Sequence, residues 1–150
     1  MKQDIAIHSG MEGFVLIDRI LESGTSHIVG RIAFRNDPPY KGIESLAQMG
    51  AYHVRFLTGF SKHAFLLKIG CCSLPPGRLE GEYLLRGDMT GRGESSFSYH
   101  LRMGQGDLTA MEGTFFFAAV DYDQHLKREL LERHYRKVYA CLQGDSKTDC

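Results

Sequence analysis

Gly42-Ile43-Glu44-Ser45-Leu46-Ala47-Gln48-Met49-Gly50-Ala51 is the stretch on which the reading of this chain turns. From it onward, Ile43, Leu46, Ala47, Gly50, Ala51, Val54 and Leu57 recur at helical spacing. That spacing predicts an amphipathic helix of about four turns, starting near Gly42 and ending near Gly59. Its apolar stripe contains Ala47, Gly50 and Ala51. Small residues let a helix lie very close to whatever it packs on, and a helix wrapped by a curved sheet needs such an approach.

Upstream, Asn36-Asp37-Pro38-Pro39-Tyr40-Lys41-Gly42 reads as a breaker, because proline disfavours both ladder pairing and helix. Before it, residues 14–22 and 27–34 read as the two strands of a hairpin, turned by Ser23-Gly24-Thr25-Ser26. Downstream, strands are expected over 64–73, 79–86, 96–103 and 108–120. Pro75-Pro76-Gly77, the segment 87–93 and Gly104-Gln105-Gly106-Asp107 separate them. Phe97, Tyr99, Leu101 and Met103 alternate with Ser96, Ser98, His100 and Arg102, the pattern of an antiparallel strand with one wet face. A second helix is expected over about 124–143, with Leu126, Leu130, Val138 and Leu142 on its apolar stripe. The result is one α+β domain over 1–144: a curved antiparallel sheet around a long central helix, plus a C-terminal helix. Residues 145–150 are expected to be a disordered tail, and the residues up to about 13 to be irregular or a short helix.

The composition narrows the partners. Of 150 residues, 43% are hydrophobic and 24% charged, ordinary for a globular chain. Lys+Arg and Asp+Glu both number 18, so no basic excess is available to grip nucleic acid or an anionic membrane. No apolar run approaches the roughly 18 residues of a span, and the first residues lack a secretory apolar segment, so a cytoplasmic location is expected. Cys71, Cys72, Cys141 and Cys150 have neither zinc-site spacing nor a disulfide framework and are read as reduced thiols. No metal-ligand cluster and no phosphate loop appears, so neither a metal nor a nucleotide cofactor is implied.

Phe14-Val15-Leu16-Ile17-Asp18-Arg19-Ile20-Leu21-Glu22 resembles the opening strand of the 3-hydroxyacyl-[acyl-carrier-protein] dehydratases, and Gly42-Ile43-Glu44-Ser45-Leu46-Ala47-Gln48 resembles their helix start. The likeness runs over about residues 8 to 121 and takes in His8, near the histidine that precedes the family's first strand. It implies the hotdog fold, a homodimer or dimer of dimers with sheets joined edge to edge, and chemistry on an acyl thioester of acyl-carrier protein or coenzyme A. The Gly-His-Phe-Pro-Gly segment of active dehydratases is absent, and no histidine lies between His27 and His53. Half of the family's catalytic pair is therefore missing from its place. The resemblance implies a dehydratase-like protein of fatty-acid or polyketide-type metabolism with a displaced partner group; a thioesterase using Glu44 and a non-catalytic acyl-binding or partner subunit are the alternatives.

Glu44 is the leading catalytic candidate, as general acid/base or water-orienting group; otherwise it merely complements the helix dipole. Gln48, one turn on, and His8, reaching from the N-terminus, are its possible helpers. For substrate binding, Gly42 and Ile43 would let a thioester approach the helix-start amides, although Gly42 would also serve a simple turn into the helix. Tyr40 and Asp37 occupy the preceding loop and read equally as packing and turn residues. Lys41, Arg35 and Arg55 are read as charges flanking the helix start, either meeting a carrier or simply solvated. His53, about two and a half turns past Glu44, is read as a packed or interface residue on the opposite side of the helix.

Overall fold

A computed structural model describes residues 15–122 and 128–144. The elements run β1 (Arg19–Ser23), β2 (His27–Asp37), α1 (Tyr40–Leu57), β3 (His63–Ser73), β4 (Leu79–Arg92), β5 (Ser96–Gln105), β6 (Leu108–Val120) and α2 (Arg128–Gln143). The strands form a single six-stranded sheet in the order β1-β2-β4-β5-β6-β3, with every pairing antiparallel. β1 and β3 are its edges.

The central helix lies close on the sheet at its glycines, while Ala47 and Ala51, expected on the same stripe as Gly50, line a cleft on its other side. Gly42 and Gly50 face the strands: an added Cβ at Gly42 would stand 2.8 Å from Met103 Cε, and one at Gly50 would run into the Phe117 ring. Leu46, Met49 and Val54 complete the buried face and meet Leu79, Leu85, Tyr99, Leu101, Phe115 and Phe117 in one core. The alternation read in β5 holds, with Phe97, Tyr99, Leu101 and Met103 all buried. Ser45, buried in α1, keeps its hydroxyl satisfied on Lys41 O, one turn back.

Several local expectations are corrected. The first ladder covers Arg19–Ser23 only. Just before it, the Asp18 amide still reaches Arg31 O on β2, but the Leu16 amide goes to Gln48 Oε1 on the helix instead. β2 continues three residues past Phe34, because Asn36 takes a left-handed φ of 51° and the resulting bulge brings Asp37 opposite Leu79. The helix starts at Tyr40, two residues before Gly42. Pro39 is its N-cap residue at φ −56° and ψ −29°, a setting in which proline's missing N–H costs nothing.

β4 runs through the expected turn to Arg92. Gly87 is there for packing: a Cβ would stand 2.7 Å from Leu101 Cδ2. α2 buries Tyr135, Tyr139 and Leu142 rather than a purely aliphatic stripe. Leu126, the segment 145–150 and the start of the second helix lie outside the described residues. Cys71 and Cys72 are free, whereas Cys141 is disulfide-bonded, against the expectation of four reduced thiols.

α2 sits over the far half of α1. Tyr139 stacks on Phe56 with 5.8 Å between centroids, Tyr135 meets Tyr52 edge-on, and the Tyr139 hydroxyl reaches Ser23 Oγ. Among the described residues, no helix is long and apolar enough to cross a membrane.

Candidate functional site

At 100° per residue, Glu44, Ala47, Gln48, Ala51 and Arg55 share the face of α1 turned away from the sheet, opposite Gly42, Leu46 and Met49. At its N-terminal end this face is open: Glu44 is exposed, and Tyr40 is 61% exposed. Toward the C-terminal end, β3 and α2 rise around it and leave a cleft of about 360 Å³, walled by Ala47, Gln48, Ala51, Tyr52, Arg55 and Tyr135 among others.

Gln48 is held in place by the backbone beside the first strand. Its Oε1 accepts the Leu16 amide at 2.8 Å. A backbone N–H can only donate, so this bond fixes the carboxamide with its NH₂ on the other side. Val15 and Leu16, next to the first strand, thereby form a rim beside the helix.

The other expected site residues are distributed unevenly. Asp37 is tied down: Oδ2 accepts the Arg35 amide at 2.9 Å and Oδ1 pairs with Lys41 Nζ at 3.0 Å. Those two partners, the amide first, hold its carboxyl below the usual range, the behaviour of a turn carboxylate that stays ionised. Gly42 lies under Met103, Met111 and Leu79, and its amide donates to Pro39 O at 2.9 Å. Lys41 likewise donates its amide to Pro38 O. Ile43 is half-buried at the margin of the core. His8 lies outside the described residues.

His53 is on the far side of α1 from Glu44 and fully buried. Nε2 faces Gly24 O at 2.7 Å and Nδ1 faces the Tyr99 hydroxyl at 2.6 Å. Since Gly24 O only accepts, Nε2 carries the hydrogen and Nδ1 takes the Tyr99 O–H. Burial lowers the pKa of His53, so the ring is held neutral and both nitrogens are engaged. Burial also raises the Tyr99 phenol. Sequence reading placed Arg55 among charges flanking the helix start. Instead it sits at the far end of α1, only 7% exposed, with Nη2 donating to Ala64 O at 3.0 Å. Its spacing, seven residues after Gln48 and eleven after Glu44, could have put it on their face.

Among the described residues, no group of three or more His, Cys, Asp or Glu is gathered to hold a metal ion. The site therefore offers one exposed carboxylate, one fixed carboxamide and an apolar-walled cleft beside them. No second acid or base of the described residues is brought to Glu44 in the way the dehydratase pair requires.

No protein-family model matches the chain, and no curated protein matches it in sequence. Its shape does find matches among solved structures. A mutant thioesterase from Pseudomonas aeruginosa is similar at TM-score 0.63 and 10% identity, covering 81% of this chain and 94% of that one. The dehydratase heterocomplex of Xenorhabdus doucetiae is similar at TM-score 0.59 and 13% identity, covering 79% and 90%. A hypothetical thioesterase from Streptococcus pneumoniae, solved with coenzyme A, is similar at TM-score 0.58 and 13% identity, covering 69% and 85%. At such identities the likeness establishes the fold: this is a hotdog-fold chain of the α+β class.

Proposed function

We propose that this protein acts on an acyl thioester, and that its chemistry is hydrolysis with Glu44 as the base. The observation that carries the reading is the open face of α1, where the exposed Glu44 precedes by one turn the fixed Gln48, which lines the cleft. Hydrolysis can proceed with one carboxylate, whereas dehydration needs two proton-transfer groups. Asp37 is committed to Lys41, and His53 to Tyr99 and Gly24. In the proposed step, Glu44 takes a proton from water as the water oxygen bonds to the thioester carbon. The Gln48 NH₂ donates to the carbonyl oxygen as it becomes anionic. The tetrahedral adduct then collapses, the C–S bond breaks, and Glu44 returns its proton to the departing sulfur. The products are a free acid and a thiol.

The carrier would be coenzyme A or an acyl-carrier protein, and the assembly a homodimer or dimer of dimers joined along β3. That edge strand exposes Phe65, Leu66 and Leu67 in a row, an apolar edge that a monomer would leave open to pairing. A second reading, dehydration of a 3-hydroxyacyl thioester, is favoured by the resemblance of residues 14–22 and 42–50 and by the likeness to the dehydratase heterocomplex. It requires the second group to come from outside the described residues, His8 being the candidate, or from a partner subunit.

The test is to incubate the protein with saturated, 3-hydroxy and enoyl thioesters of coenzyme A and follow free thiol and enoyl product together. Thiol release that Glu44→Gln lowers by about 10²-fold or more supports hydrolysis. Enoyl formation supports dehydration. Thiol release undiminished in Glu44→Gln sinks the assignment of the base.

A further inference from the structure

Arg55 is a buried cation with no anion beside it among the described residues. Its guanidinium lies between two phenol rings, 3.8 Å from the centroid of Tyr135 and 5.0 Å from that of Tyr52. Ring faces attract a cation but do not neutralise it. Burial pushes the Tyr52 phenol up to about 12, so this ring stays uncharged at neutral pH. Of the five guanidinium N–H donors, one is bonded, through Nη2 to Ala64 O, and Nε is buried with no hydrogen-bond partner. No carboxylate of the described residues pairs with it, and none lines the cleft, where the other titratable side chains are His63, His134 and the two tyrosines. The nearby Glu132 on α2 is held by Arg128 and Arg136. A guanidinium withdrawn from water and left unpaired is costly to the fold. Its planar fork matches a carboxylate through two parallel hydrogen bonds.

The position of this group in the cleft bears on what the cleft holds. Arg55 follows Gln48 by seven residues on the same face, which places it about 10.5 Å further along the helix axis. Ala47, Ala51, Ala64, Val15 and Phe65 give the cleft its apolar lining. We propose that the cleft takes an acyl chain ending in a carboxylate, which docks on Arg55 while the thioester lies at Gln48 and Glu44. The substrate class is thus an ω-carboxyacyl thioester of medium length, with Arg55 the residue that sets the preference. This rests on the acyl-thioester reading above; the binding of a free dicarboxylate at Arg55 does not.

Two measurements on the full chain separate these ideas. The first compares kcat/KM for thiol release from suberyl-coenzyme A and octanoyl-coenzyme A, which differ in the terminal carboxylate. The wild type should prefer the suberyl ester by roughly tenfold or more, the effect of a charge-assisted bidentate pair. Arg55→Met should abolish the preference, and Arg55→Lys, which keeps the charge without the fork, should retain part of it. The second measures the melting temperature with free suberate or octanoate. Suberate should raise it in the wild type and not in Arg55→Met, whose fold is checked by circular dichroism; Arg55→Lys serves if Arg55→Met does not fold.

Suberate stabilisation without thiol release from either ester keeps the anion site and overturns the hydrolysis reading. Turnover of both esters with no preference, and no suberate effect, overturns the Arg55 proposal and leaves the enzyme reading standing. Dissociation of an oligomer in Arg55→Met, seen by sedimentation, together with no suberate effect in the wild type, also overturns it: Arg55 would then be paired across an interface.

Discussion

Gly50→Ala tests how closely the central helix sits on the sheet. A Cβ at this position would stand 2.7 Å from Phe117 Cε1 and 3.3 Å from Cε2, and closer still to Cζ. Phe117 is fully buried and meets Tyr99 edge-on at 5.5 Å, and Tyr99 is in turn bonded to His53. The ring cannot yield without moving that chain of contacts. Overpacking of this kind costs about 1–3 kcal/mol, while alanine in place of glycine in a helix gains about 1 kcal/mol. Because the obstructing ring is fully buried, the cost belongs in the upper part of that range, and the net expectation is a loss of up to about 2 kcal/mol, or up to about 8 °C in Tm for a domain of this size.

Gly42→Ala is the control. There the obstructing atoms are the terminal methyls of Met103 and Met111, at 2.8 and 2.9 Å, which can swing aside. Its cost should be largely offset by helix propensity, leaving it within about 1 kcal/mol of wild type. Urea denaturation followed by circular dichroism measures both. A Gly50→Ala protein as stable as wild type, or a Gly42→Ala protein weaker than Gly50→Ala, would refute the packing argument.

Other expectations follow from the same contacts. Burial lowers the folded pKa of His53, so below the ordinary imidazole value of about 6.5 the unfolded chain takes up a proton that the folded chain refuses. This group should leave stability unchanged above that pH and reduce it below, approaching about 1.4 kcal/mol per pH unit until the folded pKa is reached. The wild-type minus His53→Gln difference in urea midpoints between pH 7.5 and 5 should show that slope; a flat difference would count against a buried neutral ring. Gln48→Leu removes the acceptor of the Leu16 amide and should cost about 1–3 kcal/mol while releasing that amide to faster hydrogen exchange. Unchanged protection would mean the rim is held by something else. Leu66→Lys and Leu67→Lys on the β3 edge should shift the proposed dimer towards monomer in sedimentation; a dimer unaltered by both would place the interface elsewhere, and a wild-type monomer would sink the proposed assembly.

What the sequence determined by itself was whatever repeats locally. The helical spacing from Ile43 to Leu57 and the alternation along β5 each record, within one segment, which side faces the core, because side-chain direction follows from backbone period alone. The placement of His53 opposite Glu44 was readable for the same reason. Glycine and proline were not decided locally. Gly87 looked like a turn and is a strand residue under Leu101; Gly42 looked like a ligand approach and is pressed against two methionines. A missing Cβ serves a turn, a ligand or a tight contact equally well, and only the partner across the core tells which. Pro38 and Pro39 looked like a break, yet β2 reaches Asp37 through a bulge bonded to residues over 40 positions away, and the helix starts directly after Pro39.

Arg55 shows the same division at the candidate site. Its stripe on α1 could be computed from the sequence, but its burial depends on Ala64 from β3 and Tyr135 from α2. Tertiary packing alone decided that a cation which reads as solvated would end largely withdrawn from solvent, with no carboxylate of the described residues paired to it. Composition and spacing describe one segment at a time, whereas desolvation is set by all the segments that meet around a group.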